Sequence, residues 1–189
     1  NITYPNPDTA IVTVELAPHL HRGRPESYWY TAGQYSYLGV PGQKEGPHPF
    51  TMTSIPNIVG RTGPTQHVGV GSRMRTQGVA WDRTVEYCIK AGGKGSRWLV
   101  DNLAEGMPVT VSTPRGGTHP AHGGVRQLWV AGGIGITPFV AWLRDLNYAV
   151  GKDFPGQVTL VWSYHPSEKP AYLNLVRQCA REWPWLTLV

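Results

Sequence analysis

Charge is in short supply in this sequence. Asp, Glu, Lys and Arg make up 15% of its 189 residues, against roughly 25% in an average globular chain. No run of five like charges occurs, which excludes the charged tails that bind nucleic acid, and no nucleic-acid partner is expected. Cysteine is scarcer still. Cys88 and Cys179 are the only two, too few for a disulfide framework, a zinc cluster or a four-cysteine iron–sulfur centre. They read as two reduced thiols in a reducing compartment. No apolar run approaches the roughly 18 residues that span a bilayer. The opening Asn-Ile-Thr-Tyr-Pro-Asn-Pro has neither the basic nor the apolar region of a signal peptide.

What is present is turn formers and aromatics. Gly (23) and Pro (17) together fill about a fifth of the chain, below the roughly 25–30% that marks disorder. Eight Trp and nine Tyr, with 40% hydrophobic residues, are enough for a packed core. The formal net charge of +5 suits an anionic ligand, phosphorylated small molecules included.

The period of the hydrophobic pattern changes near residue 125. Before it, short alternating runs lie between Gly/Pro/Asn clusters. Ile11–Leu16, Gln34–Leu38, His48–Ser54, Val85–Lys90 and Val109–Ser112 read as strands of a small antiparallel barrel or sandwich. After it the pattern is strand, helix, strand, helix, strand. Leu128–Ala131, Val158–Trp162 and Trp185–Val189 are the strands. Phe139, Trp142, Leu143 and Leu146 mark one helix face, and Tyr172, Val176, Cys179 and Ala180 mark another. That alternation predicts a parallel sheet with crossover helices. A parallel sheet of three strands is expected to be incomplete, so the chain reads as a fragment. The expected division is 1–118 for the antiparallel domain, 119–125 for a linker around His-Pro-Ala-His-Gly-Gly, and 126–189 for a truncated α/β domain.

Two turns carry the chemistry. In Leu128-Trp-Val-Ala-Gly-Gly-Ile-Gly-Ile-Thr-Pro-Phe139 a buried strand runs into Gly132, Gly133 and Gly135 and then a helix. Thr137 is placed to cap that helix and Pro138 to occupy its first position. Glycines let the backbone approach a pyrophosphate, and the N–H groups and dipole of the helix start favour its charge. In Cys88-Ile-Lys-Ala-Gly-Gly-Lys-Gly-Ser-Arg-Trp-Leu99 a strand feeds a second glycine turn, and Ser96 is placed to cap a helix over Arg97–Leu103. Lys90, Lys94 and Arg97 make that start a second anion site. A third segment, Pro47-His-Pro-Phe-Thr-Met-Thr-Ser-Ile-Pro56, alternates His48, Phe50 and Met52 with Pro49, Thr51 and Thr53.

In this order the three segments resemble the ferredoxin–NADP reductase superfamily, and most closely its ferric reductase/NADPH oxidase dehydrogenase branch. His48-Pro49-Phe50-Thr51 resembles that branch's flavin motif. Gly33-Gln34-Tyr35 resembles the motif that opens the barrel. Ile89-Lys90 with Gly95-Ser96 resembles the flavin pyrophosphate site, Thr113-Pro-Arg-Gly116 the following turn, and Gly132–Phe139 the nicotinamide-nucleotide motif. The resemblance implies a six-stranded FAD barrel followed by an NADPH- or NADH-binding domain. Phe50 would lie against the isoalloxazine, Thr51 would offer its hydroxyl near flavin N5, and His48 would neutralise a phosphate. Lys90 and Ser96 would hold the flavin pyrophosphate. Gly132, Gly133, Gly135, Ile136, Thr137 and Pro138 would serve the nicotinamide nucleotide. The implied reaction is hydride transfer from NAD(P)H to FAD, then single electrons to a haem or ferric acceptor. The implied location is cytoplasmic, at a membrane face if a haem-bearing membrane domain belongs to the same protein.

Some positions depart from that pattern. The connection between Ser54 and Val85 is long and carries Arg61, Arg73, Arg75 and Arg83 against Asp82. His165, in Ser163-Tyr-His-Pro166, stands where an Arg reading the ribose phosphate is expected, which leaves NADPH against NADH open. Two other functions stay open: a soluble flavin, ferredoxin or ferric-siderophore reductase, and a non-enzymatic barrel that binds an anionic partner. The pairs His19/His21 and His119/His122 lie on no predicted helix and have no carboxylate companion, so no metal site is expected.

Overall fold

The computed structural model describes residues 1–17, 19–21, 24–26, 28, 30–54, 84–149 and 153–189. The basic connection 55–83, including Arg61, Arg73, Arg75 and Arg83, lies outside the described residues. Three antiparallel sheets form the first part. The first has the order β1 (Ile2–Asn6), β2 (Thr9–Glu15), β7 (Thr84–Lys90). The second has the order β6 (His48–Thr51), β5 (Tyr35–Gly39), β8 (Thr110–Val111). The third is the pair β3 (His19–His21) and β4 (Arg24–Glu26).

A two-residue period builds the core of this part. Ala10, Val12 and Val14 of β2 are buried and face the buried Val85, Tyr87 and Ile89 of β7. Leu38 and Met52 join them, with Leu99, Val100 and Leu103 closing one end from helix α1 (Lys94–Asn102). The expected closed barrel is not formed among the described residues. The two larger sheets share one core but meet through a single isolated bridge, Met52↔Tyr87. The β5–β6 register ends at Thr51; the Met52 N–H still donates to the Gln34 carbonyl (3.0 Å), and the Thr53 N–H donates to that of Glu86 on β7 (2.8 Å).

The second part is a parallel sheet of order β11 (Leu186–Leu188), β10 (Gln157–Ser163), β9 (Arg126–Gly132). Helix α2 (Thr137–Ala149) connects β9 to β10, and α3 (Leu173–Glu182) connects β10 to β11. Trp129, Ala131, Val158, Leu160 and Trp162 bury one sheet face under Val140, Leu143, Leu146, Val176 and Cys179. Trp129, Phe139 and Trp142 pack as a trio, with ring centroids 5.0–5.4 Å apart. On the other face Leu128 and Val130 are exposed. No helix among the described residues is long and apolar enough to cross a membrane.

The two parts are stitched along one seam. Trp142 of α2 donates from Nε1 to the Ala32 carbonyl (3.2 Å). Its ring lies so close to Gly33 that a Cβ there would stand 2.2 Å from Nε1. Gly33 also has φ +91°, so both space and backbone conformation require glycine there.

Candidate functional site

The first half of the site is the start of α1. Gly93 is its N-cap residue and Lys94 its first residue, so the helix begins three residues before the sequence-based expectation. Ser96 is therefore the third helical residue rather than the cap. Its Oγ accepts the N–H groups of Gly92 and Gly93 (both 3.0 Å), which secures the turn from inside. Arg97 points away from the turn to Asp8 (2.6 Å) and Asp101 (3.5 Å). The start thus keeps the dipole and exposed Gly92, Gly93 and Lys94 without an acidic residue in its first turn.

His48 lies directly over this turn. A Cβ on Gly95 would stand 1.8 Å from His48 Nε2, so the imidazole occupies the space that any other residue at 95 would fill. Nε2 is buried and has no hydrogen-bond partner. Gln43 reaches the same point, donating from Nε2 to the Gly95 carbonyl (3.3 Å) while its own Oε1 is also buried and unpartnered. Buried polar atoms without partners are uncommon, and here two of them belong to side chains that reach Gly95 in the first turn of α1. The arrangement fits a phosphate of a dinucleotide such as FAD. Sequence reasoning missed Gln43, which sits in a Gly/Pro loop with no motif around it.

Strand β6 carries the other flavin-side residues. Phe50 pairs with the buried Ser36 and is half-buried against the core; Thr51 pairs with Tyr35. Pro49 is exposed. Ile89 is wholly buried in the core. In the turn after β8, Arg115 and Tyr35 exchange two backbone hydrogen bonds (2.8 and 3.0 Å), and Gly116 has φ +91°.

The second half of the site is the glycine turn after β9. Gly133–Ile136 forms a 3₁₀ turn that runs directly into α2. Thr137 is the first residue of α2 and does not cap it; its Oγ1 donates to the Ile134 carbonyl (3.2 Å). Gly133, at φ +48°, lets the chain enter this turn. The helix start is thereby displaced to Gly133, and Gly132 and Gly135 are exposed there. Ile136 is buried and anchors the turn in the core. Ser163, at the carboxyl end of β10, pairs with Gly132, and Trp162 Nε1 donates to the Gly133 carbonyl (3.0 Å). His165 follows two residues later, with Nδ1 2.7 Å from Ser167 Oγ. Ligands of open α/β sheets bind at these carboxyl ends.

Lys90 joins the halves. It ends β7, yet its Nζ pairs with Glu168 beyond β10 (2.8 Å) and lies 4.0 Å from the Cβ position of Gly133. Lys90 Nζ thus stands beside the second turn, while Ser96 Oγ is held within the first. Among the described residues, no three His, Cys, Asp or Glu side chains gather as a metal site.

An antiparallel part and a parallel part, each presenting a glycine-lined helix start to a shared seam, define a two-part nucleotide-binding fold. Solved reductase structures share this fold. The chain superimposes over its full length on the ferredoxin–NADP+ reductase of Plasmodium falciparum, with TM-score 0.63, 14% identity and 64% of that chain covered. It does so on the cytochrome P450 reductase GcoB of Amycolatopsis, with TM-score 0.67, 21% identity and 48% of that chain covered. Among curated proteins it is 33% identical over 98 residues to the carnitine monooxygenase reductase subunit of Acinetobacter pittii. That match takes in 50% of this chain and 31% of the relative, so the chain spans about a third of that relative's length. No protein-family model matches. These similarities show the fold and do not single out the ferric reductase branch.

Proposed function

We propose that this chain is the FAD- and nicotinamide-nucleotide-binding part of an electron-transfer reductase, with 1–118 as the flavin domain, 119–125 as linker and 126–189 as the nucleotide domain. The observation that carries the reading is the pair of helix starts at one seam: the unpartnered His48 Nε2 over Gly95, and Lys90 against the Gly133 turn. Bound FAD would supply hydride acceptance and single-electron release. The protein's own part is binding and orientation. His48, Gln43 and the N–H groups of α1 hold the flavin phosphates, Phe50 and Thr51 flank the ring, and Lys90 serves the nicotinamide nucleotide at Gly132–Ile136. Lys90 must first leave Glu168, so nucleotide binding exchanges one ion pair for another. His165 reads the ribose.

The acceptor is an iron or haem centre of a protein partner. Two of the similar proteins named above are, by name, a monooxygenase reductase subunit and a cytochrome P450 reductase, which favours an oxygenase partner over a haem-bearing membrane domain.

Purification decides the first step. The expected result is a protein with a flavin spectrum, or one that gains it on adding FAD, bleached anaerobically by NADH or NADPH. A colourless protein that takes up no FAD overturns the reading in favour of a plain anion-binding module.

A further inference from the structure

The seam contains one polar cluster that the proposed binding roles do not use. Glu86 of β7 accepts through the same Oε1 from three directions: Thr53 Oγ1 (2.7 Å), Arg144 Nη1 of α2 (2.6 Å) and the Tyr172 hydroxyl (2.8 Å). Arg144 Nη1 also donates to the Thr53 carbonyl (2.8 Å), and its guanidinium lies 5.2 Å over the Tyr172 ring. Thr53 is fully buried. Tyr172 stands at the start of α3 with φ +67°, the one non-glycine residue with positive φ among the described residues. Such a conformation persists only where its surroundings hold it.

The placement of these four residues gives the cluster its meaning. Thr53 lies two residues beyond Thr51, roughly 7 Å along the chain. Arg144 lies seven residues beyond Thr137, two turns and about 10 Å along α2 from the nucleotide turn. One guanidinium thus grips the flavin-side strand and the nucleotide-side helix together. An apolar contact would hold the parts with similar strength but tolerate sliding. A charged pair with fixed hydrogen bonds accepts one register.

We propose that Glu86, Arg144, Tyr172 and Thr53 form a positioning clasp that sets the distance between the flavin strand β6 and the nucleotide turn ahead of α2. The inference rests on the proposed flavin function but concerns different residues. Hydride transfer depends steeply on donor–acceptor placement, and a shift of about 1 Å costs as much as roughly 100-fold in rate. The clasp residues act through that distance and touch neither reacting group.

The test uses the full chain with spin labels at Asn102→Cys and Arg181→Cys. Both are exposed, on α1 and α3, while Cys88 and Cys179 are buried. Into this background go Arg144→Met, the isosteric Glu86→Gln and the mildest change, Tyr172→Phe. The label-to-label distance distribution is expected to be narrow in the parent and broad in Arg144→Met and Glu86→Gln. With FAD bound, flavin content and reduction by dithionite stay at parent values, while reduction at saturating NADH or NADPH slows about 10- to 100-fold per bound flavin. Unchanged distances and unchanged rates overturn the clasp. So does a fall in melting temperature and flavin content with the per-flavin rate and the distances intact, which is what a merely structural role would give. A parent that binds no FAD refutes the functional reading, and the distance measurement then decides the clasp by itself.

Discussion

The contact between His48 and Gly95 gives the sharpest test of the flavin-side geometry. In Gly95→Ala the new Cβ would be placed 1.8 Å from His48 Nε2 and 2.7 Å from both neighbouring ring carbons, so the imidazole must leave its position. Two effects oppose each other. Alanine favours the helix by roughly 0.5–1 kcal/mol over glycine. Overpacking a closed site costs about 1–3 kcal/mol. The balance is a loss of about 1 kcal/mol, or a melting temperature lower by roughly 2–4 °C in a chain of this size. The double variant His48→Ala/Gly95→Ala removes the clash and keeps the helix gain, so it should melt above Gly95→Ala. That non-additivity is the signature of direct contact. FAD binding behaves differently. A charge-assisted hydrogen bond is worth about 1.5–3 kcal/mol, so displacing or deleting His48 should raise the FAD dissociation constant about 10- to 150-fold in both variants. Thermal melts followed by circular dichroism and fluorescence titration with FAD supply both numbers. A Gly95→Ala protein that melts higher and binds FAD as tightly as the parent would refute the placement of His48 over α1.

Other outcomes follow from the same geometry. Thr51→Val keeps the β-branched shape and removes only the hydroxyl, so FAD stays bound while stopped-flow flavin reduction slows roughly 2- to 13-fold, the loss of a hydrogen bond of about 0.5–1.5 kcal/mol. Glu168→Gln frees Lys90 from its ion pair and should lower KM for the nicotinamide nucleotide, whereas Lys90→Ala should raise it with FAD retention unchanged, both read from steady-state kinetics. Burial pushes the Glu86 carboxyl up, but the Arg144 charge and the hydrogen bonds from Arg144, Thr53 and Tyr172 outweigh it, leaving the group below the ordinary carboxylate range. Its stabilising contribution is therefore full above about pH 4.3 and is lost as pH falls further, so the melting-temperature gap between the parent and Glu86→Gln should close on acidification below that point. Burial pushes the Cys88 thiol up to about 12 and that of Cys179 to about 11, so neither should react with iodoacetamide at pH 8 until the protein unfolds.

The parts of this molecule that were readable from sequence are those where one local signal decides the structure. The β9–glycine–α2 unit carries its strand, its turn and its helix face within twenty-odd consecutive residues, and the Cys88–Leu99 unit does the same. The errors there are small and have physical causes. Ser96 stabilises α1 from its third position because two glycines precede it and let their N–H groups fold back onto its hydroxyl. Thr137 does not cap α2 because the preceding glycines wind into a 3₁₀ turn and carry the helix start upstream. Strand β1 was invisible because it is mostly exposed and contains Pro5, so it has neither an alternating pattern nor a full set of donors. It pairs with β2, and the Ile2 N–H, the Tyr4 hydroxyl and the Asn6 amide donate to Glu105, Leu103 and Lys169.

The seam was unreadable for a different reason. Thr53, Glu86, Arg144 and Tyr172 belong to four separate elements, and nothing within any one of them announces the others. A weak signal did exist. Glu86 interrupts the run Val85, Tyr87, Cys88, Ile89, and Arg144 sits between Leu143 and Leu146 on a helix otherwise read for its apolar face. In a chain with only 15% charged residues, a carboxylate in one core-forming element and a guanidinium in another stand out, because each would be costly there without a partner. Lys90 follows the same logic. It ends a strand whose side chains are mostly buried, and its charge is met by Glu168 from the other part of the fold. Two ion pairs, Glu86–Arg144 and Lys90–Glu168, bridge the two parts, and under the proposed clasp the first of them selects one arrangement of strand β6 against the Gly133 turn.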